Sequence, residues 1–115
     1  MLQMLVHYGM HFVMPMLIAY RINRIQWFKL YLILLLTMVM DLDHFLADPI
    51  FDPNRCSIGF HPLHSYLAIC IYIVSLRVFW RRLYVRTFII GLLFHIFTDA
   101  VDCLWRDCSG IACFQ

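Results

Sequence analysis

The sequence predicts an all-α integral membrane protein, four transmembrane helices in one antiparallel bundle with the N- and C-termini both on the outer side. Three observations predict it. The chain has 115 residues, 63% hydrophobic and only 14% charged, whereas soluble domains run at about 45–50% apolar and about 25% charged. Four stretches lack the polar stripe of a soluble helix. The few charges are sorted by sign between the two ends of those stretches. Four spans of about 20 residues use roughly 80 positions and leave about 35 for connections. The length therefore suits one membrane domain over 1–115, and excludes a disordered chain, a secreted disulfide scaffold and a multidomain enzyme.

The first span is expected over 3–22. From Leu2 to Tyr20 there is no Asp, Glu, Lys or Arg. Leu5, Val6, Phe12, Val13, Met16, Leu17 and Ile18 point in every direction of a 3.6-residue helix, so no wet face remains. A cleavable signal peptide is not expected, because a basic n-region and a small-x-small cleavage site are both lacking. The second span is placed at 27–47. Its uncharged run, Leu30–Met40, is only 11 residues, so it spans only if Asp41–Asp43 also lie at membrane depth, carried on by Phe45 and Leu46. The stretch 48–61, with Pro49, Pro53, Asn54 and Gly59, reads as one turn-filled outer loop. The third span is placed at 62–80, inside the 21 uncharged residues Cys56–Leu76. Its start at Pro62 uses a residue favoured in a helix's first turn. The fourth is placed at 84–104, where the uncharged Thr87–Thr98 continues through Asp99–Asp102 to Leu104 and Trp105. No internal repeat, low-complexity tract or interdomain linker interrupts this pattern.

Charge sets the orientation. Arg21, Arg24 and Lys29 follow the first span, and Arg77, Arg81, Arg82 and Arg86 surround the connection after the third. These are seven of the nine basic residues, with no acid among them. All seven acids are aspartates (Asp41, Asp43, Asp48, Asp52, Asp99, Asp102 and Asp107), and every one falls toward the opposite ends, beside only Arg55 and Arg106. The positive-inside rule then places both termini and the 48–61 loop outside, which is the periplasm in a double-membraned bacterium. The net charge of +2 is thus a topology signal with a role in contacting anionic lipid, not a nucleic-acid footprint. Trp27, Trp80 and Trp105 fall near the expected interfaces, as an aromatic belt requires.

Polar residues gather at one level. With a rise of about 1.5 Å per residue, His7 lies roughly 6 Å from its outer helix end, His11 about 12 Å, Asp41 about 9 Å, Asp99 about 7 Å and His95 about 14 Å. His61 and His64 stand at the outer mouth of the third span. His7/His11 and His95/Asp99 are i,i+4 pairs, and Asp41/His44 and His61/His64 are i,i+3 pairs, so each pair shares a face. Asp43 is turned about 200° from Asp41 on an α-helix, which makes it an orienting residue or one facing the loop. Asp102 extends the His95–Asp99 stripe. Each residue alone could simply hydrogen-bond a neighbouring helix. Burying the whole set in lipid is costly, and a shared cation explains it best. Imidazole with carboxylate suits Zn, Mn or Fe, and so many candidates allow one ion or two, paired ions being common where phosphoesters are cleaved.

Of the five cysteines, Cys70 lies mid-span and is expected to be an inert thiol. Cys56, Cys103, Cys108 and Cys113 are on the outer side, where disulfides persist. Four cysteines allow three pairings, and free thiols remain an alternative. Cys56–Cys103 is favoured because it would pin the 48–61 loop over the end of the fourth helix; Cys108 and Cys113 could then close a small loop. The absence of a CxxC leaves zinc-ribbon and thioredoxin readings without support.

Three segments, Met40-Asp41-Leu42-Asp43-His44, His61-Pro62-Leu63-His64-Ser65 and His95-Ile96-Phe97-Thr98-Asp99, resemble the membrane-bound metal-dependent hydrolases of bacteria, whose members include the LexA-binding inner-membrane hydrolases. That family's pattern is D-x-D-H, H-R-G-x-T-H-S and H-x-x-x-D. The resemblance implies a bacterial inner-membrane location and a metal site at Asp41, Asp43, His44, His61, His64, His95 and Asp99. This chain departs from the pattern where Pro62-Leu63 replaces Arg-Gly and Leu63 stands at the Thr position. The missing Arg removes a natural phosphate clamp, for which Arg55 is the expected substitute. The stretch Asp52-Pro-Asn-Arg-Cys-Ser-Ile-Gly-Phe-His-Pro-Leu-His64 is also similar, over nearly the whole chain, to a small uncharacterised family of four-helix bacterial membrane proteins.

Three functions follow as expectations. The first is a metal-dependent hydrolase in the outer leaflet. His61, His64, His95, Asp99, Asp41 and one of His7 or His11 would bind metal, while Asp43 or His44 orients ligands or serves as general base. With a longest loop of about 13 residues nothing can grip a large polar polymer, so the expected substrate is a lipid or lipid-linked phosphoester entering from the bilayer. The second is a metal or redox subunit, with His11 and His95 as candidate b-type haem ligands, although the interleaved carboxylates favour a bare ion. The third is a small structural subunit of an oligomer or larger membrane complex, its polar cluster organising helix packing.

Overall fold

The computed structural model describes residues 1–48, 50 and 56–109; of Gln3 and residues 106–109 only the backbone is described. The described residues form four helices and no strand, in the chain order and close to the boundaries the apolar runs predict.

Helix α1 covers residues 2–22 as an α-helical piece Leu2–Tyr8, a π-helical stretch Gly9–Val13 and a second α-helical piece Met14–Ile22. Pro15 explains the middle. It lacks an N–H and would clash with the carbonyl four residues earlier, and a widened turn ahead of it avoids that clash. The helix stops at Asn23, whose Oδ1 accepts from the N–H groups of Ile25 (2.9 Å) and Gln26 (3.1 Å). This Asx turn leads directly into the next helix.

Helix α2 covers 27–46. It is α-helical over Trp27–Leu36 and then a 3-10 helix over Thr37–Leu46, far longer than the three or four residues usual for that geometry. Side chains three apart eclipse in a 3-10 helix, and Thr37, Met40 and Asp43 accordingly line up as the buried row. Helix α3 covers 62–78, opening with the 3-10 turn Pro62–His64. Its α-helical part, Tyr66–Val78, is capped by Ser65, whose hydroxyl accepts from the Ala68 N–H at 3.2 Å. Helix α4, Leu83–Ser109, is the longest.

Helix α4 is central: α1, α2 and α3 all pack on it, and α1 packs along α2. The α2–α4 approach is close because of Gly91. A Cβ there would lie 2.6 Å from Thr37 Cγ2 and 3.1 Å from Leu34 Cδ2, leaving no room for a side chain. At the end carrying the basic connections, Tyr84 donates to Gln26 Oε1 at 2.9 Å, and Arg24 and Arg86 lie over the rings of Tyr20 and Trp80. Ala19, Leu30 and Leu34 form an apolar core in that half, while Met40, Leu92 and Ile96 form one nearer the opposite end.

At that opposite end the Cys56 and Cys103 sulfurs stand 2.02 Å apart, disulfide-bonding distance, as favoured from the sequence. Cys70 is a free thiol, exposed on α3. Gly59 takes a positive φ of 77°, which a Cβ would disfavour, and its N–H donates to the His64 carbonyl at 3.0 Å. The tight turn folds 56–61 back over α3.

The polarity of the molecule is inverted. Among the described residues nine polar or charged side chains are buried, as many as the apolar ones, while Leu5, Leu46, Leu67, Val74, Phe97 and Leu104 are exposed. One helix, Leu83–Trp105, is long and apolar enough by length and composition to cross a membrane, and Tyr66–Val78 is a shorter apolar helix.

Candidate metal centre

The polar residues converge where α2, α3 and α4 meet. Asp41, His64, His95 and Asp99 each offer one ligand atom, all within 4.8 Å of one another, and a second such group is Asp43, His44 and His61. Either group could hold a metal ion.

The geometry of the first group begins with Asp43. The 3-10 turn points this carboxylate inward, where only 4% of the residue is exposed. Its Oδ2 accepts from the Leu63 N–H at 3.0 Å and from His64 Nδ1 at 3.1 Å. A neutral His64 donating from Nδ1 carries a lone pair on Nε2. That Nε2 lies 3.0 Å from Asp99 Oδ2, yet both atoms are buried without a hydrogen-bond partner of acceptable geometry. His95 Nε2 completes the set, 3.0 Å from Asp41 Oδ1 and 3.7 Å from Asp99 Oδ2. Ligands about 2.1 Å from one tetrahedral ion stand about 3.4 Å from each other, and the three separations straddle that figure. The His95/Asp99 spacing of four residues puts both on one face of α4, as expected. Asp41 is the open member, its side chain 45% exposed.

The second group adjoins the first. His44 Nδ1 is 3.1 Å from Asp43 Oδ1 and 3.8 Å from Asp41 Oδ1, and its Nε2 is 3.1 Å from Ser57 Oγ. The His61 ring stacks on His44 with centroids 4.0 Å apart. His61 and His64 stand at the start of α3, and both are buried there.

His7 and His11 stand outside both groups. His7 Nδ1 pairs with Asp102 Oδ2, so Asp102 continues the α4 stripe by holding α1. His11 is buried, its ring 4.4 Å from His7 and 4.7 Å from His95. It also lines, with His95, a small and otherwise largely apolar cavity formed with Pro15, Ile18, Leu34, Thr37 and Phe94. Of the two, His11 is the one adjacent to the centre. The six histidine rings form one continuous row from His7 through His11, His95, His64 and His44 to His61. Ser57 and the His7–Asp102 pairing were not singled out from sequence. Nothing marked the serine, whereas the 95–99–102 spacing did mark Asp102. Arg55 and Cys113, and the side chain of Cys108, lie outside the described residues.

No curated protein and no solved structure matches the chain. The model of one family covers residues 1–106, and the chain belongs to that family, DUF6122, a family of unknown function.

Proposed function

We propose that the chain is a four-span protein of the bacterial inner membrane, both termini outside, whose metal centre faces the periplasm and hydrolyses a lipid or lipid-linked phosphoester. The observation that carries the metal is the buried, unpartnered approach of His64 Nε2 to Asp99 Oδ2. Two lone pairs facing each other in a buried site repel unless a proton or a metal ion lies between them, and the ligand atoms of His95 and Asp41 beside them supply the further coordination that favours a metal. The inverted polarity supports the membrane, since an apolar surface of this extent needs an apolar solvent. Helices α1 and α2 also run without a break over 2–22 and 27–46, lengths that reach across a hydrocarbon layer of about 30 Å.

A divalent ion held here would lower the pKa of bound water to about 7 and polarise a phosphoryl oxygen. The chain's own residues do the rest. Asp43 fixes the His64 ring so that Nε2 faces inward, the carboxylate–imidazole arrangement that orients a ligand. His95 and Asp99 present donors from adjacent turns of α4. Asp41 keeps one side of the centre open, and exposed Leu42, Phe45 and Leu63 beside it give an acyl-bearing substrate an apolar approach. His44, near Asp41 and steadied by Ser57, lines the same open side of the centre.

The test is phosphate release from a panel of lipid phosphate monoesters and diphosphates in detergent micelles. Release that stops with a chelator, returns with Zn2+ or Mn2+, and is at least 100-fold lower in His95→Ala is the expected result. Release equal in wild type and His95→Ala would overturn the reading.

A further inference from the structure

We infer that Asp43 Oδ1, His44 Nδ1 and His61 form a second divalent-cation position that shares Asp41 with the first, so that the two ions together grip one phosphoryl group of the substrate. This rests on the hydrolase reading and specifies its chemistry. Three observations carry it.

The first is the direction of His44. If its Nε2–H donates to Ser57 Oγ across the observed 3.1 Å, Nδ1 is left as a lone pair. That lone pair faces two carboxylate oxygens, Asp43 Oδ1 at 3.1 Å and Asp41 Oδ1 at 3.8 Å. These are again the separations of ligands around one ion. The second is the division of labour within the two aspartates. Asp43 uses Oδ2 on His64 and Leu63, so Oδ1 is the atom turned toward His44. Asp41 Oδ1 lies 3.0 Å from His95 in the first group and 3.8 Å from His44 in the second, the place a bridging carboxylate occupies. The third is charge. Asp41, Asp43 and Asp99 form ion pairs among the described residues with histidines alone, so with those rings neutral, as metal ligands are, the three carboxylates bring three negative charges. One divalent ion leaves negative charge in a largely buried site. Two leave a small positive excess, which a phosphate or hydroxide oxygen neutralises. Adjacent ions about 3.5–4 Å apart would clamp the attacking and leaving oxygens of an in-line displacement at phosphorus.

The experiment titrates metal-free protein in detergent with Mn2+, following bound ion by equilibrium dialysis and paramagnetic resonance. Wild type is expected to bind two equivalents with the exchange-broadened spectrum of a coupled pair. His61→Ala is expected to bind one, with the sharp six-line signal of an isolated Mn2+. A wild type that binds one equivalent with the six-line signal overturns the second position. The wild-type measurement decides this without the variant, should His61→Ala not fold. Two coupled Mn2+ with no phosphoester cleaved would instead sink the hydrolase reading and leave the paired site standing.

Discussion

Asp43 and Asp41 are two residues apart, but the 3-10 geometry of Thr37–Leu46 sends them to different tasks. One is buried behind His64; the other is half-exposed at the open side of the centre. If Asp43 serves by orienting His64, Asp43→Asn should weaken metal binding about 10–100-fold, as loss of such a partner does at other sites. Far-ultraviolet circular dichroism should stay unchanged. A wild-type affinity in that variant, read by competition with a chromophoric chelator, would remove the orienting role. The residue types of the centre were legible in sequence because charged and imidazole groups are conspicuous in apolar runs. Their directions on α2 were not. An α-helix turns about 100° per residue and a 3-10 helix about 120°, so depth could be read while the facing of Asp43 remained open between an orienting role and the loop.

At the scale of elements, two contacts hold the parts that carry the ligands. Gly91 lets α4 approach Thr37 and Leu34 on α2, one α-helical turn before His95. Gly91→Ala must push the helices apart or displace Thr37, and overpacking of this kind costs about 1–3 kcal/mol. The expected outcome is a lower melting temperature together with weaker metal binding, because Asp41 moves relative to His95. A variant as stable as wild type would show that the approach is not tight. The Cys56–Cys103 link closes a loop of 47 residues and anchors the segment bearing Ser57 and His61. Its removal in Cys56→Ser should cost up to about 4 kcal/mol by the loop-closure argument, measured as a shift in thermal unfolding between oxidised wild type and the variant. Helix ends were legible because Pro62, Asn23 and the charged runs mark them. The π stretch in α1 had a signal in Pro15, whereas nothing in the composition of Thr37–Leu46 announces a long 3-10 helix.

For the whole molecule, the sorting of basic and acidic residues and the exposure of apolar side chains point the same way. The Arg-rich connections and the aspartate-rich ends occupy opposite ends of the bundle, with the polar cluster at the aspartate end. On the proposed membrane reading, the positive-inside rule would put that end in the periplasm. Fusing alkaline phosphatase to the C-terminus should give an active enzyme in bacterial cells, and fusing green fluorescent protein should give dark cells. The reverse pair of results would invert the topology. The bundle was legible from composition because four apolar runs in one short chain have few ways to be arranged. That α4 sits at the centre, with α1, α2 and α3 all packed on it, was not, since packing partners depend on close contacts such as Gly91 against Thr37.

If His64, His95, Asp99 and Asp41 hold a metal ion as proposed, inductively coupled plasma mass spectrometry on detergent-purified protein, wild type beside His64→Ala and Asp99→Ala, will read it. At least one equivalent of a transition-metal ion such as Zn, Mn or Fe is expected in wild type, with a clear loss in both variants. Wild-type protein that stays metal-free after purification without chelators and incubation with each of these ions would contradict it.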